Sequence, residues 1–270
     1  MVILAISIKE ITDAISYLFT RIKMKTLGIV LPIILILIID NIDATAVNIA
    51  IPTLMQEFKS SLLLTSWVIN IYISTSAAFF LLAGYFGRIF GIKKTMLLGT
   101  ILIGLASIIV GSSNHMFLLL VGRFIQGAGY AFTFAMIFLI VKQYVPVKHQ
   151  KFVIGLLTSF VAIFSAAGPF IGGAFIYYLS WRWIFLINIP FCSLCIMLLE
   201  IYMEETDKTK DIILKEIFIL LLSVLMIFFL MLAIFYATNA SRNFGMFLVL
   251  FVVLCNNVVY DHCIIIQGDH

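Results

Sequence analysis

The chain has 270 residues, of which 63% are hydrophobic and 11% are charged, and its mean hydropathy is +1.19. Soluble domains contain about 45–50% apolar and about 25% charged residues, so this composition excludes a water-soluble globular protein. The net charge is +4, but the basic residues form short clusters between apolar runs rather than the continuous basic face of a nucleic-acid-binding protein. Most of the surface is therefore expected to contact a lipid bilayer.

Residues 1–26 precede the first long apolar run and lack the basic start of a cleavable signal peptide. Apolar residues recur there at steps of three and four, with Lys9, Glu10 and Asp13 between them. This spacing indicates either an amphipathic helix on the cytoplasmic membrane surface or a disordered cytoplasmic segment.

Long apolar runs predict transmembrane helices, because a helix needs about 20 apolar residues to cross a hydrocarbon core about 30 Å thick. We expect an all-α polytopic membrane protein with a six-helix bundle over residues 27–203, a cytoplasmic linker over 204–215, and one or two further helices within 216–270. The last run is interrupted by Asn256 and Asn257. The predicted spans are Leu27–Ile49, Leu62–Phe86, Thr95–Ser113, Met116–Val141, Phe152–Leu179, Trp183–Met203, Ile212–Tyr236 and Phe244–Tyr260.

Basic residues in the connections predict the orientation of these spans. Of the 17 Lys and Arg residues, 13 lie on the side of the N-terminus, 3 lie on the opposite side, and Arg123 lies inside a span. Because Lys and Arg accumulate in cytoplasmic loops, the N-terminus is predicted to be cytoplasmic.

Charged residues inside the spans are the main functional candidates: Asp40 and Asp43 in the first span and Arg123 in the fourth. A charge at the bilayer centre costs about 2.5–3.5 kcal/mol or more, so each needs a partner or water. At about 100° per residue, polar side chains occupy about half of the circumference of the first helix. That half therefore cannot face lipid. These side chains belong to Asp40, Asn41, Asp43, Thr45 and Asn48.

The fourth span places Arg123, Gln126 and Tyr130 on one helix face. Arg123 is expected to meet Asp43, Asp40 or backbone carbonyl groups. Two interpretations stay open: a static ion pair that holds helices together, or a protonatable carboxylate beside a transport path.

Small residues mark the fifth span, where a stripe of Thr158, Ala162 and Ala166 continues into residues 168–173. Small side chains allow close helix packing, and Pro169 removes one backbone hydrogen bond and should bend the helix. Taken alone, this pattern indicates helix packing.

Cysteine and histidine provide weak candidates for chemistry. Cys192 and Cys195 lie within a span without a nearby polar partner, and the C-terminal region contains no regular ligand pairs. We expect neither a metal site nor an organic cofactor. The C-terminal residues considered as ligands are Cys255, His262, Cys263 and His270.

Five short stretches occur in order along the first six predicted spans. They are I-D-A-T-A-V-N-I-A-I-P over residues 42–52, G-Y-F-G-R-I-F-G-I-K-K over 84–94, R-F-I-Q-G-A-G over 123–129, G-P-F-I-G-G over 168–173 and W-R-W-I-F-L-I-N-I-P over 181–190. Together they resemble motifs of the fourteen-helix drug:proton antiporters of the major facilitator superfamily.

The resemblance implies roles for individual residues. Asp43 takes the acidic position of the first motif, where Pro52 is expected to end the helix. Arg123 takes the position that this family links to proton coupling. The G-P-x-x-G-G motif, which implies exchange rather than uptake, is formed by Gly168, Pro169, Gly172 and Gly173.

The loop between the second and third spans resembles G-x-L-a-D-R-x-G-R-K, which takes part in a conformational latch in the family. Here Arg88 stands at the position of the motif's Asp and Ile89 at that of its first Arg. The matching residues are Gly84, Gly91, Lys93 and Lys94.

The resemblance implies a proton-coupled exporter of amphipathic, cationic or zwitterionic molecules in a bacterial inner membrane. Asp43 would handle the proton with Arg123 and Asp40, while Asn48, Gln126 and Tyr130 would line the substrate path. The expected partners are lipid, substrates, protons and a C-terminal half, which could be encoded separately because this chain carries one half and the start of the joining helices.

Two alternatives remain. One is a non-transporting half that acts as a fragment or scaffold. The other is a membrane-embedded lipid transferase that holds a metal with Asp40 and Asp43, although a protein that is not an enzyme is expected.

Overall fold

The computed structural model describes residues 24–205, which form seven helices and no strand within that range. Six stretches of this part of the chain are long and apolar enough to cross a membrane, and α6 and α7 together form the sixth, Trp183–Tyr202. The predicted all-α fold with six spans is therefore confirmed. The helices are α1 (Met24–Phe58), α2 (Leu62–Phe90), α3 (Ile92–Gly111), α4 (Met116–Tyr144), α5 (Val147–Tyr178), α6 (Trp183–Leu186) and α7 (Asn188–Tyr202).

Several sequence-based predictions lie outside the described residues. They are the amphipathic or disordered N-terminal segment before residue 24, the linker beyond residue 205, the spans Ile212–Tyr236 and Phe244–Tyr260, and the candidate ligands Cys255, His262, Cys263 and His270.

Helices α1 to α5 are longer than the apolar runs that predicted them. Helix α1 continues through Pro52 to Phe58, so the prediction that Pro52 ends the first helix is wrong. Proline removes one backbone hydrogen bond, but Leu54, beyond Pro52, is fully buried in a cluster with side chains of other helices. Tertiary packing thus holds this last part of the helix.

Gly91 alone separates α2 from α3 and has a φ of 91°. This left-handed φ is sterically unfavourable for residues with a Cβ atom, so glycine permits the sharp reversal between the two helices.

Helix α4 has the largest buried share of the six spans and packs against α2 and α3, while α1 packs against α5 and α7. The backbones approach closely at glycines. A Cβ atom on Gly99 would lie 2.7 Å from the carbonyl oxygen of Gly129, and one on Gly127 would lie 2.5 Å from that of Tyr72. Small residues thus supply the packing that drives helix association in lipid.

Two apolar clusters lie at different levels of the bundle. On α1 they occupy residues 29–37 and 46–54, and on α4 they include Met136 and Leu119 respectively. Asp40 and Asp43 of α1, and Arg123 and Gln126 of α4, therefore lie between two apolar layers.

Candidate functional site

The charged residues of α1 and α4 meet between these layers. Arg123 Nη1 donates a hydrogen bond of 2.6 Å to Asp43 Oδ2, and the two side chains are 0% and 2% exposed. Such complete burial excludes bulk water, so each charge depends on the partners that the bundle supplies.

Arg123 also has neutral partners. Its Nη1 donates to Gln126 Oε1 over 2.8 Å, and its Nε donates to the carbonyl oxygen of Val68 over 2.9 Å. The guanidinium carbon lies 4.2 Å from the centroid of the Tyr72 ring, within cation–π range. The guanidinium would therefore keep several favourable contacts if Asp43 were neutral.

Asp40, one turn before Asp43, has a different environment. The Tyr72 hydroxyl donates a hydrogen bond to Asp40 Oδ1, and the Tyr130 hydroxyl lies close enough to interact with the same carboxylate. Asp40 therefore lies beside two phenol groups, one of which donates a hydrogen bond to it, whereas Asp43 is paired with a guanidinium.

A cavity of about 10 Å³ lies between these groups and has room for about one water molecule. Asp43 Oδ1 and Asn188 Oδ1 are buried without a hydrogen-bond partner in the described part of the chain, and both residues line the cavity. The cavity thus offers two unpaired acceptors to a proton or a water molecule. The lining residues, which together define the acid cavity, are Ile39, Asp40, Asp43, Tyr72, Ile103, Gln126, Tyr130 and Asn188.

A larger cavity of about 280 Å³ lies between α1, α4 and α5. This volume is close to the lower end of small-molecule sites, about 300–1,000 Å³. Its wall is mostly aliphatic and aromatic, with Asn41, Tyr130 and Thr158 as the polar members. The remaining lining residues of this apolar cavity are Leu37, Phe134, Ile137, Phe138, Val141, Ile154, Leu157 and Val161.

The residues predicted to line a substrate path occupy different places. Gln126 lines the acid cavity, and Tyr130 lines both cavities. Asn48 is exposed, lines neither cavity, and donates from Nδ2 to the carbonyl oxygen of Ala44 over 3.1 Å. The structure thus brings Gln126 and Tyr130 together with the acidic residues but not Asn48.

Sequence reasoning did not identify three polar residues of this site, which are Tyr72, Ser107 and Asn188. Tyr72 contacts both Asp40 and Arg123, as described above. Ser107 Oγ accepts hydrogen bonds from Gln126 Nε2 over 3.3 Å and from Asn188 Nδ2 over 3.2 Å. All three are polar residues within apolar spans, which is the signal that could have marked them.

The G-P-x-x-G-G segment of α5 lies against α1. A Cβ atom on Gly168 would overlap Thr45, and one on Gly172 would lie 2.7 Å from Ala46 Cβ, whereas one on Gly173 would meet nothing within 4 Å. Two of the three glycines therefore permit close contact between α1 and α5. Pro169 lies within the uninterrupted helix α5.

The basic end of the motif that was predicted to lie in a loop belongs to the first turn of α3 and contacts the chain near the end of α7. Lys93 pairs with Glu200 over 2.8 Å, and Lys94 pairs with Glu205 over 3.0 Å. Arg88 is exposed, and its guanidinium lies 5.3 Å from the centroid of the Tyr85 ring. The remaining motif residue, Gly84, has no atom within 4 Å of an added Cβ position.

The described residues contain no group of three or more His, Cys, Asp or Glu side chains that could hold a metal ion. The nearest charge to Asp43 is the Arg123 guanidinium, which would repel a cation. This arrangement gives no support to a transferase that binds a metal through Asp40 and Asp43.

Comparison with known proteins places this architecture in a family. Residues 33–259 match the family model of the Major Facilitator Superfamily. The fold is similar to that of the xylose transporter XylE from E. coli in its inward open conformation, with a TM-score of 0.58 and 11% identity. The similarity covers 86% of this chain and 56% of that chain.

Curated relatives include fungal transporters. The MFS-type transporter gkaD of Penicillium citrinum is 29% identical over 185 residues, which cover 68% of this chain and 32% of the relative. The efflux pump aflT of Aspergillus parasiticus is 31% identical over 189 residues, which cover 70% of this chain and 36% of the relative. The chain thus spans about a third of the length of these relatives.

These relatives correct one expectation. The prediction of a bacterial inner membrane is wrong, because the matched transporters are fungal and point to a eukaryotic membrane. The six apolar spans support a multi-pass membrane protein. The chain therefore belongs to the Major Facilitator Superfamily.

Proposed function

We propose that the intact protein is a proton-coupled exporter of amphipathic small molecules, of the drug:proton antiporter type. The observation that carries this proposal is the buried Asp43–Arg123 pair, whose carboxylate lines the acid cavity together with Asp40. A buried pair is weak evidence for stability, because desolvation offsets much of its attraction. A role in transport accounts better for keeping it in hydrocarbon.

In this proposal Asp43 handles the proton together with Asp40, one turn before it, and Arg123 responds to the charge of Asp43. When Asp43 is ionised, it pairs with Arg123; when a proton neutralises Asp43, Arg123 keeps Gln126 and the carbonyl oxygen of Val68 as acceptors. The cation therefore never stays in hydrocarbon without a partner. This limits the energy cost of changing the protonation state within the bundle.

The apolar cavity is proposed as this chain's share of the substrate site. Its aromatic side chains, Tyr130, Phe134 and Phe138, suit the apolar body of an amphipathic molecule, and their ring faces attract a cationic group. Asn41 and Thr158 add polar contacts. The export direction is supported by relatives described as efflux pumps, including a thioclapurine efflux transporter of Claviceps purpurea.

The proposal also assigns roles to the contact between α1 and α5 and to the parts of the chain outside the six spans. The close contact of Gly168 and Gly172 with α1 would provide a joint along which α5 moves during exchange. We also propose the predicted organisation of a cytoplasmic segment at 1–26, a half-bundle at 27–203, a linker at 204–215 and further spans at 216–270. A second half, in the same or a separate chain, would complete the midplane site.

The experiment is transport of rhodamine 6G by the intact protein in liposomes with an imposed pH gradient. The unmodified protein is expected to move the dye against its gradient, and Asp43→Asn to bind the dye without gradient-driven transport. The control is Glu57→Gln, which changes a carboxylate near the end of α1 that is paired with Arg182. Undiminished gradient-driven transport by Asp43→Asn would remove Asp43 from the mechanism and favour a static ion pair.

A further inference from the structure

One residue forms part of the wall of both cavities. The acid cavity and the apolar cavity share Tyr130 and no other lining residue within the described chain. Tyr130 lies on α4 two turns beyond Arg123, so the same helix carries the ion pair and this shared wall. A molecule in the apolar cavity would therefore contact a side chain that also borders the carboxylates.

Aromatic rings connect the two cavities without interruption. The Tyr130 ring stacks on Phe134 with 5.4 Å between centroids, and Phe134 meets Phe138 edge-on at 5.7 Å. On its other side, Tyr130 lies 6.1 Å from the ring of Tyr72. Such ring contacts have preferred geometries, so a shift of one ring is resisted or followed by its neighbours.

The two tyrosines of this row of rings, Tyr72 and Tyr130, line the acid cavity and carry hydroxyl groups near Asp40. Tyr72 donates a hydrogen bond to Asp40, and the Tyr130 hydroxyl interacts with the same carboxylate. The other charged groups that face Asp40 are Asp43 on α1 and Arg123 on α4. Helices α3 and α7 contribute Ile103 and Asn188 to the cavity wall, and neither side chain titrates.

We propose that Tyr130 couples substrate binding to the protonation of Asp40. An ionised carboxylate accepts hydrogen bonds from both tyrosines, whereas a protonated one has lost part of its acceptor capacity. The Tyr130 hydroxyl is then released, and its ring is free to move into the volume that a ligand needs. Substrate and proton therefore oppose each other through Tyr130, although the two sites do not overlap.

This inference rests on the proposed exporter function and predicts a reciprocal effect. If a proton on Asp40 weakens substrate binding, substrate must weaken proton binding by the same factor. Tyr130 is thus a positioning residue rather than a proton carrier. Removal of its hydroxyl should change the pH dependence of binding more than binding itself.

The test measures rhodamine 6G binding to the intact protein in lipid nanodiscs by fluorescence anisotropy. Between about pH 8.5 and about pH 5.5, the Kd of the unmodified protein is expected to rise about 5-fold or more, the lower range of allosteric coupling. In Tyr130→Phe the ring contacts remain but the hydroxyl group is lost, so the ratio of the Kd at about pH 5.5 to the Kd at about pH 8.5 should fall below about 2-fold.

Two control variants separate coupling from packing. Phe134→Leu removes the stacked partner in the apolar cavity and should raise the Kd at both pH values without changing their ratio. Tyr177→Phe removes a hydroxyl from a residue of α5 that is 81% exposed and should change neither. The melting temperature of each variant is measured beside that of the unmodified protein, to establish that the variant is folded.

The outcomes distinguish this inference from the function on which it rests. If Tyr130→Phe keeps the pH ratio of the unmodified protein, the coupling role of Tyr130 is overturned while proton-coupled export stands. If Tyr130→Phe raises the Kd equally at both pH values, Tyr130 only packs against substrate and the inference is again overturned. If the unmodified protein binds the dye without pH dependence, proton coupling itself is contradicted, and the inference with it.

Discussion

Replacing Asp43 and Arg123 with neutral amides tests whether the contribution of each charge to the free energy of unfolding depends on the presence of the other. Arg123 donates hydrogen bonds to Asp43, Gln126 and the carbonyl oxygen of Val68, and its guanidinium lies over the Tyr72 ring. Asp43 has one described hydrogen-bond partner, for Oδ2, and none for Oδ1; Arg123 Nη2 also has no hydrogen-bond partner in this part of the chain. The carboxylate therefore depends on Arg123 more than Arg123 depends on the carboxylate.

The expected magnitudes follow from burial. Both side chains are at most 2% exposed, so neither charge is screened by water when its partner is removed. Arg123→Gln is expected to lower the free energy of unfolding by about 3–5 kcal/mol, because it leaves a buried carboxylate unpaired. Asp43→Asn should cost less, because two neutral acceptors of Arg123 remain.

The double variant gives the decisive comparison. It removes both charges of the pair, so neither is left buried without its partner, and its loss should be smaller than the sum of the two single losses by about 2–3 kcal/mol. The measurement is SDS titration of the intact protein in mixed micelles, followed by circular dichroism. Losses that add to within about 0.5 kcal/mol would refute the mutual dependence of the two charges.

A matched control pair lies near the end of α1. Arg182 Nη2 contacts Glu57 Oε1 over 2.8 Å, but the two side chains are 28% and 37% exposed. Because water competes for both charges, the coupling between Glu57→Gln and Arg182→Gln should stay below about 1 kcal/mol. A coupling equal to that of the buried pair would show that burial is not the cause.

Two further predictions concern the helix contacts. Gly172→Ala should lower the free energy of unfolding by about 1–3 kcal/mol, because its Cβ would lie 2.7 Å from Ala46 Cβ. Gly173→Ala should cause no such loss, because a Cβ atom there would meet nothing within 4 Å. Equal losses for the two variants in thermal unfolding would contradict the close contact at Gly172. Glu200→Gln removes the 2.8 Å ion pair with Lys93, but Glu200 is 58% exposed, so the expected loss is below about 1 kcal/mol. A loss of several kcal/mol in the same assay would show that this contact holds the start of α3 in place.

The spans were predictable because the signal for each is local. A backbone in hydrocarbon must satisfy its own hydrogen bonds, so an apolar run of sufficient length becomes a helix whatever its neighbours are. The ends of the helices were less predictable. Pro52 looked like a helix end, but the burial of Leu54 against other helices carries α1 to Phe58.

Part of the candidate site was also visible in the sequence. The cost of charge in lipid marked Asp40, Asp43 and Arg123, and helical periodicity placed Gln126 and Tyr130 on the face of Arg123. The functional roles of these residues stay predictions. Asn48 belonged to the same polar half of α1 by periodicity, yet it is exposed and lines neither cavity.

The sequence by itself determined that the chain is an α-helical membrane protein with polar groups that need partners, since both follow from the energy of single residues and single helices in lipid. Only the tertiary structure decided which partners are taken. Arg123 binds Asp43 directly rather than Asp40, and Tyr130 borders two cavities, because glycines bring α4 close to α2 and α3 and fix the rotation of each helix. Such choices depend on contacts between residues far apart in the chain, and no local pattern encodes them.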